Sequence, residues 1–235
     1  MRFFFAFSGE DERYRDSSPT IRVIMPCTKP IGMTEKGLFT RQEVWKGGHY
    51  ELFIRPLSDS SEELCSILKA LWSFPSLDGC YLRRDCEPSL QERVKPCENN
   101  VAGHLYGLAK VHDSVVACGS HTMDYPGEEG YNAARRISFY LPLGALGEKF
   151  PVGAYPFGPM DCVSAWKADV DSLLVEIAKW VHAKSVIRLA LVGFELNVAA
   201  VAPATIQANG IPKERDEGIL WDDGSGLKWY PATRP

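Results

Sequence analysis

Side-chain catalysis needs a nucleophile, a base and an orienting group brought together, and the five histidines are the first residues to test against that need. His49 and His104 sit in strand-like runs, His112 in a turn, His121 beside a loop, and His182 late on the polar side of a helical stretch. None stands next to a recognisable partner, so each reads as structural. The chain has no Walker A sequence, no G-x-G-x-x-G, no G-x-S-x-G and no H-E-x-x-H, the local signatures that cradle phosphates, raise a nucleophile or bind a catalytic zinc. Glu195 is the carboxylate best placed for acid/base work, because Gly193-Phe194-Glu195 sets it at the end of an apolar strand, where such groups project into clefts. An enzymatic reading is therefore a small hydrolase or transferase with a nonstandard site pairing Glu195 with His104 or His121. It requires that Glu195 and a histidine converge in one pocket.

Metal and nucleic-acid chemistry find little support. Cys80, Cys86, Cys97 and Cys118 with His121 could gather zinc, yet no paired C-x-x-C occurs, and small buried core thiols explain them as well. No metal and no cofactor is expected. Seven cysteines are an odd number in a chain too large to need staples, so reduced thiols are the default. Arg83-Arg84 and Arg135-Arg136 lie near acids, Asp85 and Glu87 for the first pair and Glu128 and Glu129 for the second. They read as solvated ends of elements rather than a phosphate track.

Acidic, aromatic stretches suit a contact surface better. Asp124-Tyr125-Pro126-Gly127-Glu128-Glu129-Gly130-Tyr131-Asn132 is a Gly/Pro-broken loop between two apolar strand candidates. Residues 121–180 hold eight acids and five bases, and a second cluster, Glu214, Asp216, Glu217, Asp222 and Asp223, surrounds Trp221. Carboxylates beside exposed aromatics fit a partner with a basic surface: opposite charge speeds encounter, and Tyr or Trp anchors the bound state. The competing explanation is a plain solubilising loop. The expected binding residues are Asp124, Tyr125, Glu128, Glu129, Tyr131, Glu214, Asp216, Glu217, Trp221, Asp222 and Asp223.

The elements that must position these residues follow from periodicity and punctuation. Strands are expected at Phe3 to Phe7, Ile21 to Met25 and His49 to Arg55, the last ended by Pro56. Ser60 followed by Glu63 has capping-box spacing, and Leu64, Ile67, Leu68 and Leu71 make one stripe of a helix that Pro75 stops near Trp72 to Phe74. Residues 76–100 are loop-rich and of no readable class. An antiparallel meander is expected from Leu105 to Val111, from Val115 to Cys118 around the turn His112-Asp113-Ser114, and from Ile137 to Leu141. Residues 142–161 read as a connection. Val170, Leu173, Leu174, Ile177, Trp180 and Val181 share a helical face, with acids early and Lys179, His182 and Lys184 late, as the helix dipole favours. Val186 to Phe194 is an apolar strand, and Ile219-Leu220-Trp221 a short one.

The sum is an α+β fold, a mainly antiparallel sheet with two or more helices packed on one face. Residues 1–235 read as a single globular domain, with a subdomain junction in residues 75–100 as the alternative. Its 235 residues, 45% of them hydrophobic, can fill a core. A net charge of -4 gives no general footprint for nucleic acid. The apolar start is too short for a signal peptide and is followed at once by Glu10, Asp11 and Glu12. No stretch reaches the roughly 20 apolar residues of a membrane span, so a cytoplasmic location is expected.

A compact, cysteine-containing, acidic α+β chain with acidic aromatic loops and no catalytic signature resembles the bacterial immunity proteins of polymorphic toxin and type VI secretion systems. It looks most like the partners of nuclease effectors with a restriction-endonuclease-like toxin domain. The resemblance covers the whole chain and carries no diagnostic residue. It implies a cytoplasmic, non-enzymatic protein that binds a cognate toxin and blocks its active site or assembly. An acidic face would then mimic the phosphates that a nuclease's basic cleft expects.

Overall fold

The computed structural model describes residues 37–58, 60–97, 103–125, 134–153, 160–197 and 201–234. The expected strands at Phe3 to Phe7 and Ile21 to Met25 lie outside them. Met33–Pro235 forms one compact unit. Its frame is an eight-stranded sheet, antiparallel at every pairing, built from β1 (His49–Arg55), β2 (Leu77–Tyr81), β3 (Leu105–Val111), β4 (Ser114–Tyr125), β5 (Ala134–Pro142), β6 (Leu189–Phe194), β7 (Gly218–Asp222) and β8 (Leu227–Tyr230). The spatial order is β2-β3-β4-β5-β1-β6-β7-β8. With its helices, the sheet makes an α+β fold. β1 therefore joins the meander of β2 to β5 to the C-terminal strands, and Pro56 ends it by supplying no backbone donor.

Alternation along β1 divides the core. Tyr50, Leu52 and Ile54 point to one face, and in register Leu52 faces Phe139, which faces Ser120. This face is covered by α1 (Ser61–Trp72) and α3 (Met160–Lys184), which pack on each other. Helix α1 starts where the Ser60 hydroxyl accepts from the Glu63 amide at 3.1 Å, a cap that stabilises by about 1 kcal/mol. The reciprocal half of a capping box is replaced: the Glu63 carboxylate takes the Leu57 amide at 2.6 Å and the Ser58 amide at 2.9 Å. Trp72, at the helix end, lies over Gly79 and Gly107; a Cβ on Gly107 would enter its ring and come within 2.8 Å of the Asp78 carbonyl. The Trp72 indole donates to the buried Ser120 hydroxyl at 3.0 Å. Helix α3 buries Trp166, Val170, Leu174, Ile177 and Val181. It is tied to α1 by the Trp180 indole, which donates to the Ala70 carbonyl at 3.0 Å, and to the sheet by Asp171, which accepts from the Tyr50 hydroxyl at 2.6 Å.

The opposite face carries a smaller layer. Phe53, Leu189, Leu191, Ile219 and Trp221 pack with Leu196 and with Ile206 of α4 (Pro203–Asn209). A five-residue helix, α2 (Leu143–Gly147), follows β5 directly in the stretch expected to be a plain connection. Residues 75–100 contain β2, an edge strand paired with β3, and a 3-10 turn at Pro88–Leu90, so the stretch suggested as a subdomain junction contributes to the sheet.

Cysteine chemistry departs from expectation at one place. Cys65 of α1 and Cys97 form a disulfide across 32 residues, which corrects the reading of reduced thiols throughout. Cys80 and Cys118 are buried free thiols. Burial pushes the Cys80 thiol up to about 12 and holds the Cys118 thiol well above its ordinary value, so both behave as small hydrophobes. Among the described residues no group of three side chains is arranged to hold a metal ion, and no helix is long and apolar enough to cross a membrane.

Candidate functional site

Two places combine exposure with chemistry. The first is the far end of the β4–β5 hairpin. Strand β3 accompanies β4 only as far as Ser120, opposite Leu105, and β1 accompanies β5 only from Ile137 onward. The β4–β5 pairing nevertheless continues through Met123 opposite Arg136 and Asp124 opposite Arg135 to Tyr125 opposite Ala134. A two-stranded ribbon thus runs past the neighbouring strands and carries residues 126–133 between its ends. Asp124 and Tyr125 lie in the ribbon; Glu128, Glu129 and Tyr131 lie outside the described residues. Alternation sends the two arginines of the stem to opposite faces. Arg135 donates to Ser61 at 3.4 Å beside the start of α1, whereas the Arg136 guanidinium lies 5.4 Å from the Phe53 ring. They do not make a joint phosphate track.

The C-terminal acidic residues are placed differently. Glu214 and Asp216 both reach Arg234, at 2.5 and 3.5 Å. Asp223 takes Lys228 at 2.6 Å and the Ser225 amide at 3.0 Å, and these bonds, the side-chain ones first, hold its carboxyl well below the usual range. Asp222 accepts from the amides of Gly224 and Gly226, closing the β7–β8 turn, and sits 3.8 Å from His182. Burial raises the Glu217 carboxyl. Trp221 is 9% exposed and belongs to the lower core layer; this corrects its reading as an exposed anchor. Alternation along β7 buries it, and the neighbouring acids are matched by local cations and turn amides.

The second place was not legible as a site in the sequence. On the sheet face opposite α1 and α3, the register brings His49 of β1, Tyr140 of β5, His121 of β4 and Tyr106 of β3 into one file, with His104 just before β3. Ring centroids are 4.3 Å apart for His49 and Tyr140, 5.6 Å for Tyr140 and His121, 4.9 Å for His121 and His104, and 6.0 Å for His104 and Tyr106. Trp45 continues the file, 5.3 Å from Tyr106. Gly119 makes it possible, since a Cβ there would stand 2.5 Å from the Tyr140 hydroxyl. The signal was present as period-two alternation in four strands, but it converges only when the register is known.

Burial disfavours the charged form of all three imidazoles. Burial lowers His121 to about 4, helped by His104 and His49. Burial also lowers His49, against the pull of Glu195, and lowers His104, with Arg84 adding to the effect. Both phenols are raised, chiefly by burial. The Tyr106 hydroxyl and His104 Nδ1 are 3.3 Å apart, while the buried His121 Nδ1 has no hydrogen-bond partner. Two carboxylates border the file. Glu195, in a left-handed conformation with φ of 43°, accepts the His49 amide at 2.9 Å. Glu51 accepts from the Ser138 hydroxyl at 2.5 Å and the Leu196 amide at 2.9 Å, and burial raises its carboxyl. Glu195 thus converges with His49, a histidine outside the expected pairing, and spends an oxygen on backbone.

No known protein family, curated protein or solved structure matches this chain.

Proposed function

We propose that this protein is a non-enzymatic immunity or inhibitor protein that binds and neutralises a cognate secreted toxin with a basic surface, a nuclease effector being the partner class that an acidic mimic of phosphate suits. The observation that supports this reading is the β4–β5 ribbon, whose described stem carries Asp124 and Tyr125 past the paired ends of β3 and β1. Among the described residues no strand flanks the stem from Met123 to Tyr125, and the broad sheet beneath it fixes the base. Opposite charge then governs the encounter rate, and aromatic contacts govern the residence time. The C-terminal cluster has a lesser part in this reading, because its carboxylates are already engaged and Trp221 is buried.

Protection of a sensitive host is the test. Each protein encoded beside this chain's gene is expressed alone, with the chain, and with the double variant Glu128→Lys/Glu129→Lys. One neighbour is expected to be toxic alone and tolerated with the chain. The double variant should bind it at least tenfold more weakly at low salt and lose most of the salt dependence. Full protection by the double variant would remove the ribbon from the interface, and the absence of any toxic neighbour would sink the immunity reading.

A further inference from the structure

Residues 82–97 follow the edge strand β2, and none of them is buried; Leu82 and Leu90 stand out into solvent. A segment that places nothing in the core draws its order from polar contacts and covalent ties, which is the condition for local opening. Its first half holds itself. The Gln91 side chain accepts the Arg83 amide at 3.2 Å and donates to the Arg83 and Cys86 carbonyls at 2.7 and 2.6 Å, while Glu87 accepts the Thr40 amide at 2.9 Å. The second half is tied to the body at three points. Arg93 pairs with Asp78 of β2, Val94 donates its amide to the Cys80 carbonyl at 2.9 Å, and Cys97 is bonded to Cys65 of α1. Cys80 is the residue of β2 that the register with β3 skips, so Val94 supplies a partner that the sheet does not.

We propose that the Cys65–Cys97 disulfide is a redox latch, holding residues 92–97 as a strap on the outer edge of β2 until a dithiol reductant releases it. Cys97 has a φ of 77°, in the left-handed region, and a residue with a side chain stays there only when its surroundings hold it. The covalent tie to α1 is that hold. The other two ties are weak: the Arg93 side chain is 48% exposed, so its ion pair stabilises little, and the Val94 amide contributes one hydrogen bond. Both bonded cysteines are half-buried, within reach of a thiol, whereas Cys80 and Cys118 are buried. A thiolate of the reductant attacks one sulfur and forms a mixed disulfide, which its second thiol then displaces. Two electrons and two protons pass, so that Cys65 and Cys97 leave as thiols and the reductant as its own disulfide. Helix α1 keeps its place, because the Ser60 cap, the Trp72 bond to Ser120 and the Trp180 bond to Ala70 are independent of the latch. The strap loses its end tie, and the last strand of the sheet is left with an open edge.

Limited trypsin digestion of the full chain, before and after dithiothreitol, reads the strap directly. The bond after Arg93 lies within it, and Pro96 blocks cleavage after Lys95. Reduction is expected to speed cleavage after Arg93 by roughly tenfold, to leave cleavage after Arg83 and Arg84 unchanged, and to accumulate an intermediate still intact after Lys110 of β3 and Arg136 of β5. Cys65→Ser and Cys97→Ser should be cut at the fast rate with or without reductant, and Cys86→Ser should behave as the parent chain does. Should Cys65→Ser fail to fold, the reduced parent and Cys97→Ser carry the test. Cleavage after Arg93 that ignores reductant would overturn the latch. Cuts after Lys110 and Arg136 that keep pace with the cut after Arg93 would overturn it too, because the bond would then hold the whole fold and not the strap. None of these outcomes bears on toxin protection, so the two readings fail separately.

Discussion

His121 shows how one side chain can tie stability to pH. Its ring lies on a strand between His104, 4.9 Å away, and Tyr140, 5.6 Å away, with Ser138 directly across on β5 and bonded to Glu51. Folding lowers it from an ordinary 6.5 to about 4, so the unfolded chain binds this proton more readily than the folded one. Stability from this group is complete above about pH 6.5 and falls as the pH drops toward 4. For a ring still partly open to water, the loss is on the order of 2 kcal/mol. His49 and His104 are lowered as well and act in the same direction. Glu51 acts in the opposite direction, because its raised carboxyl takes up a proton more readily in the folded state. Urea unfolding across this range should show a steep loss in the parent chain and a shallower one in His121→Asn. Parallel curves would show that the imidazole is not the group responsible.

At the scale of elements, the features that declare themselves locally were legible. His49–Arg55 ends at Pro56 as expected, the Ser60 cap begins α1, and the apolar stripe from Val170 to Val181 lies on the buried side of α3. Strand β2 was missed because Leu77-Asp78-Gly79-Cys80-Tyr81 is short, holds a glycine and has one bulged register; its pairing with β3 makes it a strand, not its propensity. Helix α4 and β8 were missed for the same reason, since seven and four residues carry too few periods to read. The disulfide was hidden because sequence spacing does not reveal that α1 passes beside Cys97. This bond fastens the segment bearing Arg84 to a core helix and closes a long loop of the unfolded chain. Chain-entropy arguments give it about 4 kcal/mol for a separation of 32 residues. Reduction, or Cys65→Ser, is therefore expected to lower the urea midpoint by that equivalent, and reductant should have no further effect on the variant. A midpoint that ignores reductant in the parent chain would mean that the pair is not bonded in solution.

Over the whole molecule, the sheet order decides what unfolds together. β1 is hydrogen-bonded to β5 on one side through six register pairs and to β6 on the other through six more, so the early meander and the C-terminal strands share one central strand. Its two faces feed different layers, Tyr50, Leu52 and Ile54 the helical one and Phe53 the one beneath. Pulling β1 out would expose both cores at once, which is the physical condition for a cooperative, two-state transition. The alternation of β1 is readable in the chain, but its place at the centre is not, because β5 and β6 come from distant residues. Tryptophans sit conveniently on either side. Trp72 reports the helical layer against Gly107 and Ser120, and Trp221 the lower layer against Leu189 and Ile219. Variants that retain only one of these two indoles, with the other tryptophans replaced by phenylalanine, should give coincident denaturant transitions within each background once the stability loss of the replacements is matched by far-ultraviolet dichroism. If the Trp221 signal moved at lower denaturant than the dichroism of the same variant while the Trp72 signal did not, the C-terminal strands would be a separate folding unit. The ribbon would then stand on the meander of β2 to β5 alone, and the base that holds it would be half as wide as the sheet.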